Sequence, residues 1–180
     1  MKRMWAVFII VWLLFGVVML SLGYLDTIYR LERAVGYLSR AQAAGFAEDM
    51  SLYLRHALEY LPNRGNPVWI FPTPRTNFTL IYKDLITLER RLEIIAQIPR
   101  NSSAYAQSLN DIRGKIAVLI DQIGEAMPYT LITPLNIALA LIWLIAPYTT
   151  YRITNHLRNR KSIERESESS TMDKRAGGGI

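Results

Sequence analysis

The chain has 180 residues, of which 51% are apolar and 20% are charged, and its formal net charge is +6. This composition excludes an intrinsically disordered or collagen-like chain. The absence of cysteine excludes a disulfide framework, a thiolate nucleophile and a cysteine-ligated metal. Two apolar runs and a polar tail leave about 100 residues for a domain in water, so we expect one small domain.

Two uncharged runs dominate the sequence. The first covers residues 4–25 and follows a short basic segment, residues 1–3. With a rise of about 1.5 Å per residue, an apolar helix of this length crosses roughly 30 Å of hydrocarbon. The second run leads to a second predicted span at residues 128–151. Residues 26–127 must then lie on one side of the membrane.

Basic residues gather beside both runs, and the tail, residues 152–180, is net basic. Lys and Arg beside a span are retained in the cytoplasm. We therefore expect a cell-membrane protein with both termini cytoplasmic and residues 26–127 outside. The Asn-x-Ser/Thr triplets at Asn77 and Asn101 agree with this topology. From Ser167 onward the composition predicts disorder.

Four basic residues of the tail follow the second span closely. Beside a membrane, such a cluster typically contacts anionic lipid headgroups. A nucleic-acid groove is not expected, because the middle of the chain is nearly neutral. The predicted headgroup residues are Arg152, Arg158, Arg160 and Lys161.

The first run also carries a feature of a cleavable signal peptide. Ser21 and Gly23 stand three and one positions before Tyr24, as a signal peptidase requires. However, the run exceeds the roughly 7–15 residues of a signal-peptide core, and the helical pattern continues through the site. We predict an uncleaved anchor. Cleavage after Gly23 would leave one span and the same outside domain.

Four amphipathic helices are predicted between the spans. The first extends from the first span to Gly45, a left-handed C-cap; the others cover about 47–61, 78–98 and the region after a cap at 101–103. Each would be marginal alone, so short connections predict an antiparallel four-helix bundle within an all-α membrane protein. Their apolar positions are Tyr24, Ile28, Leu31, Val35 and Leu38; Met50, Leu54, Ala57 and Leu61; Ile81, Leu85, Leu88, Leu92 and Ile95; and Leu109, Ile112, Ile116, Leu119 and Ile123.

The second span contains prolines at three positions. Pro128 and Pro134 predict an irregular turn before it, and Pro147 marks its inner end. Trp143 near that end fits an interfacial aromatic belt. Asn136 is strongly polar. Its amide either contacts the first span or another subunit, or lies shallow enough to reach water.

No catalytic, cofactor-binding or metal site is predicted. The histidines, His56 and His156, fall on opposite sides of the membrane in this topology, so they cannot share a metal or a catalytic dyad. His56 with Glu59, and the carboxylates of Glu89 and Glu93, avoid the apolar stripes. Exposed charge explains them best.

The loop at residues 66–76 is the segment least explained by helix packing. It contains three prolines and the apolar residues Trp69, Ile70 and Phe71. These side chains either close one end of the bundle or contact a partner or the membrane. If the four helices alternate in direction, the loop falls at the membrane-proximal end of the bundle.

The layout of span, outside bundle and span resembles the input half of bacterial chemoreceptors and related sensors. The likeness is one of architecture and ends at Tyr151, because the tail is too short for a signalling coiled coil or kinase. We therefore expect a non-enzymatic accessory or structural subunit of a membrane complex, with lipid and other subunits or a second copy as partners. The alternative is a ligand-sensing input module with a separate output partner.

Overall fold

The computed structural model describes residues 2–176, and the side chains of residues 5–160. This part of the chain is all-helical, without strands. It divides into two compact units, one with α1 up to Trp12 and α6 from Ile137, the other with Leu13–Asn136. The helices are α1 (Lys2–Asp26), α2 (Ile28–Ala43), α3 (Ala47–Tyr60), α4 (Phe78–Ile95), α5 (Ser103–Ala126) and α6 (Pro134–Ala176).

Two helical stretches, Trp5–Ala43 and Ser103–Arg160, contain windows long and apolar enough to cross a membrane. No residue of either window is buried. Leu20 on α1 is 70% exposed and Ile142 on α6 is 66% exposed. These apolar surfaces need cover from lipid or from other protein, because apolar area in water is unfavourable.

Helices α2 to α5 pack around one apolar core, and α2 contacts both α3 and α5 while α4 also contacts both. The predicted stripes of α3, α4 and α5 are confirmed as the buried faces of these helices. Every buried side-chain nitrogen or oxygen in the described residues has a hydrogen-bond partner. The buried residues of the helices are Leu31, Ala34, Leu38 and Ala41; Ala47, Met50, Leu54 and Ala57; Phe78, Ile81, Leu85, Leu88, Leu92 and Ile95; and Tyr105, Leu109, Ile112, Ile116, Leu119, Ile123 and Ala126.

On α2 the buried face differs from the predicted one. Leu31 and Leu38 of the predicted stripe are buried, but Val35 is half-buried and Tyr24, which lies on α1, is exposed. Ala34 and Ala41, which were not predicted, are fully buried. The predicted stripe is rotated from the observed buried face because it was chosen from large side chains. The buried face instead includes two alanines, which continue the three- and four-residue spacing from Leu31. Small side chains at these positions allow close approach of a neighbouring helix.

The helix ends follow the sequence with two exceptions. The first predicted helix is divided at Thr27 into α1 and α2. The Asn77 side chain accepts from the Thr79 backbone N–H at 3.0 Å, and Ser102 caps α5 in the same way. The predicted left-handed cap at Gly45 is wrong. The chain leaves α2 through extended Ala44, and among the described residues only Gly65 has a positive φ, of 97°.

The prolines near α6 have two different effects. As Pro128 and Pro134 predict, a short 3₁₀ turn at Met127–Thr130 separates α5 from α6. Pro147 does not end the helix, which continues to Ala176 although the tail composition favours disorder from Ser167. Residues 177–180 lie outside the described part of the chain.

Candidate functional site

The loop between α3 and α4 exposes three large apolar side chains. Trp69 is 45% exposed, Ile70 60% and Phe71 79%. We call these three residues the apolar tip. They do not fill the core of the bundle, whose members are at most 9% exposed. The exposed fractions favour the contact role of the tip over the predicted alternative of closing the bundle end.

Asn66 holds the loop in shape from within. Its Oδ1 accepts from the Val68 backbone N–H and from Thr76 Oγ1, both at 3.0 Å, and its Nδ2 donates to the Thr73 carbonyl at 2.9 Å. Thr76 is only 6% exposed. The side-chain amide of Asn66 therefore connects the two ends of the loop, and Asn suits this role because its amide both donates and accepts hydrogen bonds.

Contacts with the bundle fix the base of the loop. The Arg75 guanidinium binds Glu125 at 2.9 Å and Asp121 at 2.8 Å on α5. Gly65, in the left-handed region that favours glycine, accepts from the Phe78 N–H at 2.9 Å through its carbonyl. The exposed tip thus stands on a fixed base.

The tip also contacts the segment that leads into α6. The Trp69 Nε1–H donates to the Ile132 carbonyl at 2.6 Å, two residues before α6 begins. A Cβ built on Gly23, near the end of α1, would lie 3.8 Å from Leu131. The tip, the end of α1 and the start of α6 therefore lie in one region of the unit formed by Leu13–Asn136.

Asn136 makes its contacts within this same region. Its Nδ2 donates to the Leu131 carbonyl at 2.9 Å, and its backbone N–H donates to Thr133 Oγ1 at 3.2 Å, which caps α6. The side chain is exposed. A contact of Asn136 with another subunit stays a prediction.

A tryptophan pair joins α1 and α6 in the other unit. The rings of Trp12 and Trp143 stack with centroids 4.0 Å apart and planes at 10°. Each indole N–H donates to the other residue's carbonyl, at 3.0 Å to Trp143 and at 3.3 Å to Trp12. Trp143 thus contacts a facing helix through its indole.

Pro147 explains one half of this exchange. Proline has no backbone N–H, so the carbonyl four residues earlier loses its helical donor. That carbonyl belongs to Trp143, and the Trp12 indole supplies the missing donor. The pair was not predicted from the sequence, although the four-residue spacing from Trp143 to Pro147 indicates that this carbonyl needs a donor from outside its helix.

The predicted headgroup residues follow an aromatic segment of α6. The Arg152 guanidinium lies 6.0 Å from the centre of the Tyr148 ring, and Tyr151 contacts Trp5 edge-on at 5.8 Å. Arg158 and Arg160 are exposed. The side chain of Lys161 lies outside the described residues.

Glu89 and Glu93, which were weighed as chemical candidates, and other charged residues form ion pairs on the bundle surface. Arg55 binds Glu89 at 2.6 Å and Glu93 at 3.0 Å, and the hydrogen bond with Glu89 is the main reason why the pKa of Arg55 is raised. Arg100 binds Glu48 at 2.8 Å. The pKa of Glu48 is lowered, first by a hydrogen bond from its own backbone N–H and then by Arg100.

A shallow groove of about 470 Å³ runs between α4 and α5. Asp84 and Arg91 line it from α4, and Asp111 and Lys115 from α5. Arg91 binds Asp111 at 2.9 Å. Gly114 also lines the groove, and a Cβ at this position would contact no neighbouring helix within 4 Å. Leu88, Val118 and Leu119 also line the groove, and Lys115 lies 3.8 Å from Asp111.

Within the described residues, no three His, Asp or Glu side chains are placed to hold a metal ion. His56 Nδ1 lies 3.7 Å from Glu59 Oε2, and its ring rests 5.2 Å from that of Tyr37. Comparisons with protein families, curated proteins and solved structures give no match for the chain.

Proposed function

We propose that the chain is a two-span membrane protein that serves as an accessory or structural subunit of a larger membrane complex. In this proposal α1 and α6 cross the cell membrane, both termini are cytoplasmic, and residues 26–127 form an outside antiparallel four-helix bundle. The observation that carries it is the exposed apolar surface, on both long helices and at the tip on its fixed base.

Cross-helix contacts support the antiparallel order of the bundle. Glu48, at the start of α3, binds Arg100 just beyond the end of α4. The Ala44 carbonyl, at the end of α2, accepts from Arg113 on α5 at 2.7 Å. Arg91 on α4 binds Asp111 on α5. The first pair links the start of one helix with the end of its neighbour, and the other two link late positions of α2 and α4 with positions near the middle of α5.

The distribution of basic residues supports the orientation in the membrane. Single cysteines at Ser39 and Ser103 are expected to react with a membrane-impermeant thiol reagent on intact cells, and one at Ser169 only after permeabilisation. The chain has no cysteine of its own to interfere. Labelling at Ser169 on intact cells would overturn the proposed orientation.

Native purification tests the accessory role. The tagged chain, solubilised in mild detergent, is expected to co-migrate with other membrane subunits in stable proportion. Ile70→Ser with Phe71→Ser should weaken any association that uses the tip. Ile94→Ser is the matched control, because Ile94 on α4 is 65% exposed against 60% for Ile70. A chain that always migrates alone would contradict the role.

The groove between α4 and α5 favours a second candidate, a ligand-sensing input module. It is lined by apolar side chains with a few charged groups, as small-molecule sites generally are, and Asp84 and Lys115 would bind the ammonium and the carboxylate of a zwitterion such as a free amino acid. A panel of free amino acids should then raise the melting temperature of the purified protein, and Asp84→Asn with Lys115→Gln should abolish the rise. An unchanged melting temperature across the panel would remove the observation that favours this candidate.

A further inference from the structure

We propose that the apolar tip lies in the outer headgroup region of the same bilayer that α1 and α6 cross. Trp69, Ile70 and Phe71 would then hold the membrane-proximal end of the bundle on the lipid surface. This inference rests on the proposed two-span arrangement and assigns lipid, rather than a protein subunit, as the partner of the tip.

The position of the tip carries the first step. Trp69 donates to the Ile132 carbonyl, and the apolar surface of α6 begins immediately beyond, with Leu135 68% exposed. Leu131 of the same segment lies beside Gly23 of α1. The tip therefore lies beside the end of α1 and the start of α6, where the exposed apolar surfaces of these two helices begin. The lipid that covers these helices also reaches the tip.

The chemistry of the loop carries the second step. An exposed backbone N–H without a partner is unfavourable in lipid. Pro67 and Pro72 have no N–H, and the Val68 N–H is bonded to Asn66. The Trp69 indole N–H is bonded to Ile132, while Ile70 and Phe71 have no polar side-chain atom. The backbone N–H groups of Trp69, Ile70 and Phe71 would bind water or lipid oxygens, which the headgroup region supplies and the hydrocarbon core does not. Aromatic side chains are enriched at this depth of a membrane.

The fixed base of the loop carries the third step. Asn66 and Arg75 hold the loop in one conformation by hydrogen bonds and ion pairs. Insertion therefore has little loop entropy to lose. A flexible apolar segment would instead fold back onto the bundle to cover its own side chains. The tip is already held outward.

Fluorescence quenching by brominated lipids tests the proposal on the full chain in phosphatidylcholine vesicles. Trp5, Trp12 and Trp143 are replaced by Phe, so that Trp69 is the single tryptophan. Bromine atoms near the headgroup end of the acyl chains are expected to quench Trp69 more strongly than bromine atoms near the chain ends. Ile70→Ser with Phe71→Ser in this chain should reduce the quenching.

Two control chains, one with a tryptophan in a span and one with a tryptophan far from the loop, are measured in the same way. A chain with Trp143 as its single tryptophan should be quenched by the brominated acyl chains, which reports on the span itself. A chain with Trp69→Phe and Ile94→Trp in the same background should not be quenched, because Ile94 lies at the opposite end of α4 from the loop.

Three outcomes would overturn the proposal in distinguishable ways. Trp69 unquenched with Trp143 quenched means that the tip faces water, provided that aqueous iodide quenches it, and the spans stand. Trp69 shielded from both quenchers means that protein, and not lipid, covers the tip. Quenching of neither tryptophan by any bromine position would overturn the two-span arrangement together with the tip.

Discussion

The bundle core and the apolar tip use the same residue types in opposite environments. Leu85 in the core is fully buried, whereas Phe71 at the tip is 79% exposed. In the core, helix periodicity alone selects the inward face. At the tip, polar neighbours such as Asn66 and Arg75 hold apolar side chains outward. The exposure of the tip is therefore caused by specific contacts within the loop and is not a by-product of how the helices pack.

The largest expected effect is the loss of bundle stability caused by Leu88→Asp, a substitution in the core. Leu88 is 4% exposed on α4, and burying an unpaired carboxylate costs several kcal/mol, similar to the whole stability of a small domain. The bundle should lose its cooperative unfolding transition in circular dichroism. Arg90→Asp, on the exposed face, should cost under about 0.5 kcal/mol. Equal losses would mean that the assigned face is wrong.

Asn66→Ala is expected to destabilise the loop that carries the tip, because it removes the three hydrogen bonds of the Asn66 side chain. The expected loss of unfolding free energy is about 1–3 kcal/mol, measured by denaturant titration. The variant should also lose the preferential quenching of Trp69 by shallow bromine atoms. Asn63→Ala, at an exposed position of the preceding turn, should change neither quantity. Unaltered quenching in Asn66→Ala would show that the tip is held outward without Asn66.

In the Trp12–Trp143 pair, an indole N–H of α1 is the hydrogen-bond donor to a backbone carbonyl of α6. Trp12→Phe keeps a ring but removes the donor to the Trp143 carbonyl, which should cost about 1–2 kcal/mol in bicelles. In a Pro147→Ala background the restored N–H should make this loss smaller. Trp5→Phe, which keeps a ring against Tyr151, serves as the control. Identical losses in both backgrounds would contradict the link to Pro147.

The sequence predicts these regions unevenly, for physical reasons. The stripes of α3 to α5 follow from period alone, since Ile81, Leu85 and their successors have no competing face. On α2, Ala34 was missed because alanine adds little to an apolar pattern. The Trp69–Ile132 and Trp12–Trp143 contacts join residues 63 and 131 positions apart. No local pattern specifies such contacts, which depend on how the helices pack.

The smallest expected effect concerns the charged surface that covers the core. The pKa of Glu48 is lowered by its own backbone N–H and by Arg100, so the folded state binds this proton less readily than the unfolded state. The contribution of Glu48 to stability is therefore present above its unfolded pKa and is lost as the pH falls through the folded pKa. Glu48→Gln should flatten the acid side of the stability profile measured by denaturant titration, and should leave the profile near neutral pH parallel to that of the parent chain. Because Glu48 and Arg100 are both about half exposed, salt should weaken the same contribution. Asp49→Asn, at the next exposed position of α3, is the control. An acid profile that Glu48→Gln leaves unchanged would mean that the contact between α3 and the end of α4 depends on the core alone.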